Sequence, residues 1–476
     1  MVKIVIGLYL LLVVSIALIS SKKARGSSKN FLLAGRNLGP WMLAGTLAAT
    51  EIGGGSTVGV AAKAYGTWGL SAGWYVVCCG IGIFLVSFIA PHLRKSMTTT
   101  IPELLERKYG TSAHIISTTL SIVALFVATA VQIIATSSVI SVFTGLDSTT
   151  TVTLAGIIIT TYTILGGLVS VAATDILHIT CITIGMSLTV PFIIHNAGGW
   201  SSVVAALPPG QLEFTKVGWK TIIGLIMMYA MTFSTGQEAV QKYFAARDMK
   251  TAKKGSFICA CIMALYGFVP ATIGLVALAK FPGIDPNQAM ATAAINLAPP
   301  ILGGLVLAAV CAATMSSASG NLIAVSTIFT TDVYKRYICK NPTDKGLLLS
   351  TKLSMVVVGL VSIILAYTKT PIITLLIFAF TIRSAGPFAG LVIGIFYEKV
   401  TKKGGLVSII FGSVAALYWQ YMGEPYGIMS LVFGSLISVA TLLIVSKIDL
   451  MLGGKIAPSF ISDENLAEYE EEQKQK

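Results

Sequence analysis

The 476-residue sequence predicts an all-α, polytopic membrane protein whose core is a five-plus-five inverted repeat. Three observations predict it. Hydrophobic residues make up 55% of the chain and charged residues only 11%, with a mean hydropathy of +0.83, whereas soluble domains are about a quarter charged. Apolar stretches of about 20 residues, the length needed to cross a bilayer as a helix, recur along the chain. Two of these stretches are interrupted by glycine amid polar residues, near Gly53 and Gly236, and each opens a group of five. Interrupted helices in corresponding positions of two halves mark an inverted-repeat transporter. The halves share spacing and hydropathy rather than residue identity.

About thirteen spans are expected, at roughly 2–20, 38–62, 70–91, 114–143, 150–168, 172–195, 218–239, 256–280, 301–331, 347–368, 371–397, 405–422 and 426–447. The first lacks a strongly basic start and a small-x-small cleavage site, so it reads as an uncleaved anchor. With its following loop it forms a segment 1–37. A ten-helix transport core follows at 38–400, divided into repeats 38–195 and 218–397. Two more helices occupy 401–450, and 451–476 is an acidic tail. The run Glu470-Glu471-Glu472 marks the tail's end as solvated and disordered. No segment reads as a separate soluble domain.

The net charge of +13 is explained by topology rather than by nucleic acid. Lys22, Lys23, Arg25, Lys29 and Arg36 follow the first span, and Arg94, Lys95, Arg107 and Lys108 the third. Lys242, Arg247, Lys250, Lys253 and Lys254 follow the seventh. Lys335, Arg336, Lys340, Lys345 and Lys352 follow the ninth, and Lys399, Lys402 and Lys403 the eleventh. Such one-sided clustering places that side in the cytoplasm. The amino terminus is then outside, the carboxyl terminus is cytoplasmic, and the cell membrane is the expected location. The seven cysteines fall mostly within spans without metal-knuckle spacing, and read as small buried apolar groups.

Polar residues inside the apolar stretches carry the functional information. Glu51 lies in Ala48-Ala49-Thr50-Glu51-Ile52-Gly53-Gly54-Gly55-Ser56-Thr57. A carboxylate at bilayer depth is costly unless it meets a cation, a proton or water, and each glycine is about 1 kcal/mol worse than alanine in a helix. Carbonyls freed by a broken helix need neighbours or an ion, because lipid offers them nothing. In the ninth span, Ala313, Ser316, Ser317 and Gly320 fall on one helical stripe. Its hydroxyls suit a small hard cation; the alternative is small-residue helix packing with the serines bonded back to their own helix.

Three more charges stand out. Asp175 follows a short turn at Gly166-Gly167 and reads either as a helix-start carboxylate or as an acid near the inner mouth of a cation path. Glu238 follows Thr235-Gly236-Gln237 at the second break and lies at the interface or deeper. Arg383, well inside a span, needs Glu51, Glu238, Asp175 or a solute carboxylate as partner, and Gly386-Pro387 beside it predicts a kink. No Walker loop, metalloprotease motif or Ser-His-Asp pattern stands out, so the chain reads as neither an enzyme nor a cofactor protein.

These residues together resemble the sodium:solute symporter family. The resemblance is carried by Asn30 to Gly39, by Tyr162 to Leu168 with Thr174-Asp175, and by Ala309 to Tyr334 with its Met-Ser-Ser core. Gly53-Gly54-Gly55, Gly423-Glu424-Pro425-Tyr426 and Ser187 to Phe192 look most like the high-affinity choline transporter branch. The resemblance implies a leucine-transporter-type core with one helix before it and two after. It implies a main sodium site from the carbonyls of Ala49 and Ile52 with Ala313, Ser316 and Ser317. A second sodium set matches at Asp175, Ser316 and Ser319, with Gly320 where a serine would complete it. Choline transporters of this type place tryptophans at the positions of Glu51 and Gly236; neither is present, which points away from choline.

The expected function is sodium-coupled import of a small polar organic solute, an amino acid or other zwitterion, by alternating access. The solute would bind at Glu51, Gly54, Gly55, Ser56, Thr235, Gly236, Gln237 and Arg383. Sodium, solute and the lipid bilayer are the expected partners, with no nucleic acid and no obligate protein. The alternative is a proton-coupled carrier of an organic cation or amine with Glu51 as the proton site. A channel would need a filter loop or rings of pore-lining residues, and none appears. A sensor would need an appended signalling domain, which the residues after the last span are too few to form.

Overall fold

The computed structural model describes residues 2–21, 27–368 and 371–474. Lys22, Lys23 and Arg25 of the first basic group lie outside the described residues. The described chain is helical, without a strand; only two isolated bridges occur, Leu38 with Ala246 and Thr401 with Ile456. Eight described helices are each long and apolar enough to cross a membrane, or nine if Ile372–Ser384 and Ala389–Phe396, bent by 48° at a short break, count as one span. That bend falls at Gly386-Pro387. By length and composition the described helices therefore supply eight or nine of the thirteen expected spans. Ile4–Ser20 and Ser148–Ile164 are shorter apolar helices where two more were expected, and the remaining two expected spans, 38–62 and 218–239, are the interrupted ones.

Helix Pro300–Ile328 is the structural centre, buried over nearly its whole length from Val306 onward. Alanine, glycine and serine dominate it, so its neighbours can approach closely. Around it pack Thr111–Thr144, Ser148–Thr180, Val2–Ser21 and Asp344–Ala366. The first helix is tied in by more than apolar contact: the Tyr9 hydroxyl lies 2.5 Å from His178 Nδ1, and Ser170 Oγ donates to the Ala17 carbonyl at 2.9 Å. Helix starts outside the apolar layer follow capping chemistry. Asp147, Asp248, Thr343 and Thr401 each accept a backbone N–H of the first turn.

The interruptions appear where the glycines stand. Pro40–Glu51 ends at the carboxylate, and after Ile52 (ψ 65°) the chain resumes as a wide turn, Gly55–Gly59, and a short helix, Val60–Tyr65. None of Gly53, Gly54 and Gly55 has positive φ; close approach is what requires them. A Cβ on Gly53 would lie 2.2 Å from Ser317 Oγ, one on Gly54 2.4 Å from the Ala135 Cβ, and one on Gly55 2.3 Å from Leu376 Cδ1. The second interruption separates Trp219–Thr235 from Gln237–Phe244 at Gly236, whose backbone is extended (φ −74°, ψ 116°). Asp175 does not begin a helix. It lies well past the bend at Gly167 (φ 61°, ψ −174°), inside a continuous helical path.

Several basic residues expected as loop charges are buried. Lys242 is 1% exposed, Arg94 0%, Lys108 4% and Arg36 5%. Arg94 Nε donates to the Ala246 carbonyl at 2.5 Å, and Lys108 Nζ to the Gly394 carbonyl at 2.7 Å. Burial holds the Lys108 ammonium down at about 8, with Glu398 opposing the shift. The tail also departs from expectation. Asp463–Lys474 is a helix docked on the basic end of the bundle: Glu472 pairs with Arg94 at 2.9 Å, the Tyr469 ring lies under the Arg94 guanidinium, and Arg107 donates to Asn465 at 2.9 Å. Buried cations need counter-charges, and the tail supplies one.

Candidate functional site

The core polar site forms where the first interruption meets the central helix. Ser317 Oγ donates to the Thr50 carbonyl at 2.5 Å, so one of the two expected serines touches the break directly. Ser316, its neighbour, turns to another partner: its Oγ donates to Asp175 at 2.5 Å. The two hydroxyls therefore diverge rather than point together, because adjacent helical positions are rotated by about 100°. Thr46 also bonds Asp175 through its hydroxyl. Ser319 lies apart from this group, with its Oγ on the Met315 carbonyl at 2.7 Å and against Thr163 Oγ1 at 3.0 Å. Of the second sodium set, Asp175 and Ser316 come together and Ser319 does not join them. Ala49, Ile52 and Ala313 are fully buried, and Ile52 N–H bonds back to the Ala48 carbonyl as the helix ends.

Beside the break is a small cavity lined by Glu51, Gly55, Ser56, Tyr75, Gln132, Tyr229, Glu238, Ser317, Asn321 and Phe380, among others, with about 30 Å³ of free space. That holds an ion or one to two waters, so a solute requires its walls to part. Glu51 faces it, and among the described residues its buried Oε1 has no hydrogen-bond partner. Ser56 Oγ donates to the Glu51 carbonyl at 2.9 Å. Gly54 does not line the cavity; its N–H donates to Gln132 Oε1 at 2.7 Å. Tyr75 and Tyr229 meet edge to face with centroids 5.4 Å apart, an apolar wall with two hydroxyls.

The other expected solute ligands are engaged elsewhere. Arg383 pairs with Glu238: Nη1 donates to Oε2 at 2.5 Å and Nη2 meets Oε1. Of its four expected partners the fold selects Glu238, and Gly236 makes room, since a Cβ there would lie 2.8 Å from both Arg383 Nη2 and Glu238 Oε1. Thr235 Oγ1 donates to Ser384 Oγ at 2.9 Å. Gln237 pins the 99–101 segment, accepting from the Ile101 N–H at 2.9 Å and donating to the Thr99 carbonyl at 2.9 Å.

Several site residues were not expected: Tyr75, Tyr229, Asn321 and Phe380 at the cavity, and Gln132, Thr46 and Lys242 among the buried polar groups. Gln132, a polar side chain in the middle of the fourth span, carried the same signal as Ser316 and could have been found by it. Thr46, a hydroxyl inside the second span, carried that signal too, whereas Lys242 did not. Lys242 sits at the end of an apolar stretch, where hydropathy assigns it to a loop. Its Nζ instead donates to Thr50 Oγ1 at 2.5 Å and to the Glu238 carbonyl at 3.1 Å.

A helix broken at a buried carboxylate faces a small cavity inside a bundle of apolar helices, an arrangement suited to a membrane transporter. The chain belongs to the sodium:solute symporter family, whose model matches residues 31–412. It is a multi-pass transport protein of the symport class, not an enzyme. Among curated relatives, a sodium/proline symporter of Staphylococcus aureus (strain bovine RF122 / ET3-1) is 25% identical over 436 residues, covering 87% of this chain and 85% of the relative. Among solved structures, a Na⁺-coupled sialic acid symporter in a substrate-bound outward-open state shares the fold, with a TM-score of 0.82 at 20% identity over 96% of this chain and 99% of that one. A nucleobase-cation-symport-1 family transporter in a closed conformation superposes with a TM-score of 0.58 at 14% identity, over 93% and 98% of the two chains.

Proposed function

We propose that this protein is a sodium-coupled importer of a small zwitterionic solute, an amino acid being favoured, working by alternating access across the cell membrane. The observation that carries the reading is the buried, unpartnered Glu51 Oε1 facing the cavity, within a turn of the Ser317–Thr50 contact. A carboxylate in that position attracts a cation or an amine. Family membership favours sodium as the coupling ion, and the sodium/proline relative supports an amino-acid solute.

Sodium would be held by the carbonyls of Ala49 and Ile52 with Ala313, Ser316 and Ser317, joining the first interrupted helix to the central one. The solute would bind beside it against Glu51, Gly55, Ser56 and the aromatic wall. Gly54, Thr235, Gly236 and Gln237 would shape the breaks on which opening turns. Arg383 would meet a solute carboxylate by exchanging Glu238 for it. Each ligand then strengthens the other's binding by the same factor. The two interruptions would be equivalent points of repeats 38–195 and 218–397, with the amino terminus outside and the tail cytoplasmic. The likeness to the choline branch would be one of scaffold, since the rings at the cavity are Tyr75, Tyr229 and Phe380, not tryptophans at positions 51 and 236.

Uptake into sealed vesicles, with and without a sodium gradient, tests this against a panel of zwitterions and quaternary amines. Saturable zwitterion uptake that needs sodium, with selectivity altered in Glu51→Gln and Arg383→Gln, is expected. Sodium-independent uptake that follows pH would instead identify a proton-coupled amine carrier using Glu51. Unchanged selectivity in both variants would overturn the assignment of the solute site.

A further inference from the structure

We propose that a groove on the outside of the bundle holds one anionic phospholipid, with an acyl chain along the groove and the phosphate at Lys345 and Lys352. The groove lies between Thr111–Thr144, the central helix with its continuation Phe329–Ile338, and Asp344–Ala366. The inference is independent of the solute and of the coupling ion.

The groove has about 550 Å³ of free space, and its walls are mostly apolar, Phe126, Val325, Phe329, Leu349, Leu353 and Val357 among them. Along Asp344–Ala366 its lining runs from Gly346 to Val358, about 18 Å at 1.5 Å per residue. A bilayer's hydrocarbon core is about 30 Å thick, so one leaflet is about 15 Å deep. The groove therefore matches a chain of one leaflet, with its mouth at the basic end of the bundle.

The polar groups are placed as a headgroup requires. At the mouth stands the Tyr334 hydroxyl, 3.6 Å from where a Cβ on Gly346 would lie. Ser350, one turn further in, is 7% exposed, and among the described residues its Oγ has no hydrogen-bond partner. Its neighbours Thr351 and Ser354 bond back to their own helix; Ser350 does not. A buried hydroxyl without a partner calls for an acceptor, and the ester carbonyls of a phospholipid supply one just below the phosphate. Lys345, Leu349, Lys352, Leu353 and Val357 are all exposed and fall at i, i+4, i+7, i+8 and i+12, so two ammonium groups share one face with the groove wall. Asp344 beside them accepts from Ser28 Oγ at 2.7 Å, and Arg336 at the same end is paired with Glu106. Lysines at a membrane surface favour an anionic headgroup over a zwitterionic one.

Native mass spectrometry of the purified full-length protein tests this, with dioleoyl phosphatidylglycerol or dioleoyl phosphatidylcholine titrated in detergent. Wild type is expected to retain one phosphatidylglycerol per chain, at least tenfold more tightly than phosphatidylcholine. Lys345→Gln with Lys352→Gln should bring the two lipids to within about twofold of each other. Lys399→Gln with Lys402→Gln, which removes the same charge from other exposed lysines at that end, should leave the preference intact. Leu353→Trp, at a position 57% exposed, fills the groove without disturbing the interior and should weaken both lipids. Ser350→Ala should weaken both by about threefold. Equal affinity of wild type for the two lipids would overturn the proposal. So would a preference that survives Lys345→Gln with Lys352→Gln, or wild-type retention in Leu353→Trp. A dimer that excludes lipid would overturn it as well, assigning the groove to a second copy of the chain.

Discussion

Arg383 and Glu238, 145 residues apart in sequence, close an ion pair whose two side chains are 1% and 4% exposed. The pair joins the helix after the second interruption to Ile372–Ser384, and it neutralises a buried arginine within that apolar helix. Breaking such a pair from one side strands a buried charge at a cost of about 3–5 kcal/mol. Glu238→Gln is therefore expected to lower the thermal midpoint of the purified protein sharply. Glu238→Gln combined with Arg383→Gln should recover much of the loss, because no net charge is then left behind. Equal destabilisation in the single and double variants would argue against the pair as the stabilising element.

Gly53→Ala tests the contact between the first break and the central helix. Its Cβ would lie 2.2 Å from Ser317 Oγ and 2.8 Å from Gln132 Oε1, so the hydroxyl at the proposed sodium site must move. The sodium concentration for half-maximal uptake should rise at least tenfold, corresponding to about 1.4 kcal/mol. Gly7→Ala, where an added Cβ meets nothing within 4 Å, is the control and should leave it unchanged.

Ser316→Ala removes one of two hydroxyl donors to Asp175. Leaving a buried carboxylate short of a donor costs about 1–3 kcal/mol. Sodium affinity should fall by about tenfold or more, while Ser319→Ala, whose hydroxyl faces Thr163 and the Met315 carbonyl, should have a smaller effect. The comparison is read from sodium titrations of uptake.

The docked tail makes a separate prediction. Removing residues 463–476 takes Glu472 from the fully buried Arg94 and uncovers its other face, packed on Tyr469. A loss of about 1–3 kcal/mol is expected from the charged hydrogen bond, seen as a lower thermal midpoint, and Glu472→Gln should reproduce part of it. An unshifted midpoint in both would mean that the tail contact carries no stability.

Glu106 gives the pH dependence. The bond from Arg336 is the largest influence on its carboxyl, holding it below the ordinary carboxylate range despite partial burial. A depressed carboxylate contributes stability above its unfolded-state value of about 4.3 and loses it as pH falls through the folded-state value. The thermal midpoint of wild type should therefore fall more steeply between about pH 5 and pH 3 than that of Glu106→Gln. Parallel curves for the two proteins would remove Glu106 from the acid-sensitive groups.

What the sequence determined by itself was local. Hydropathy over about 20 residues marks a spanning helix because lipid requires every backbone group to be satisfied within it. Glycine clusters mark where such helices break, as at Gly53 and Gly236, and polar residues inside apolar stretches mark the polar core, as at Glu51, Ser317 and Arg383. Pairing was decided only by the tertiary structure. Arg383 had four expected partners and took Glu238, Ser316 and Ser317 were expected together and diverged, and the tail was expected free and docked. Lys242 belonged by hydropathy to a loop, yet a broken helix turned it inward to Thr50. The physical reason is that a charge's partner depends on which helices lie side by side and how each is rotated. Both are set by close packing between segments more than a hundred residues apart, and periodicity along the chain does not record them.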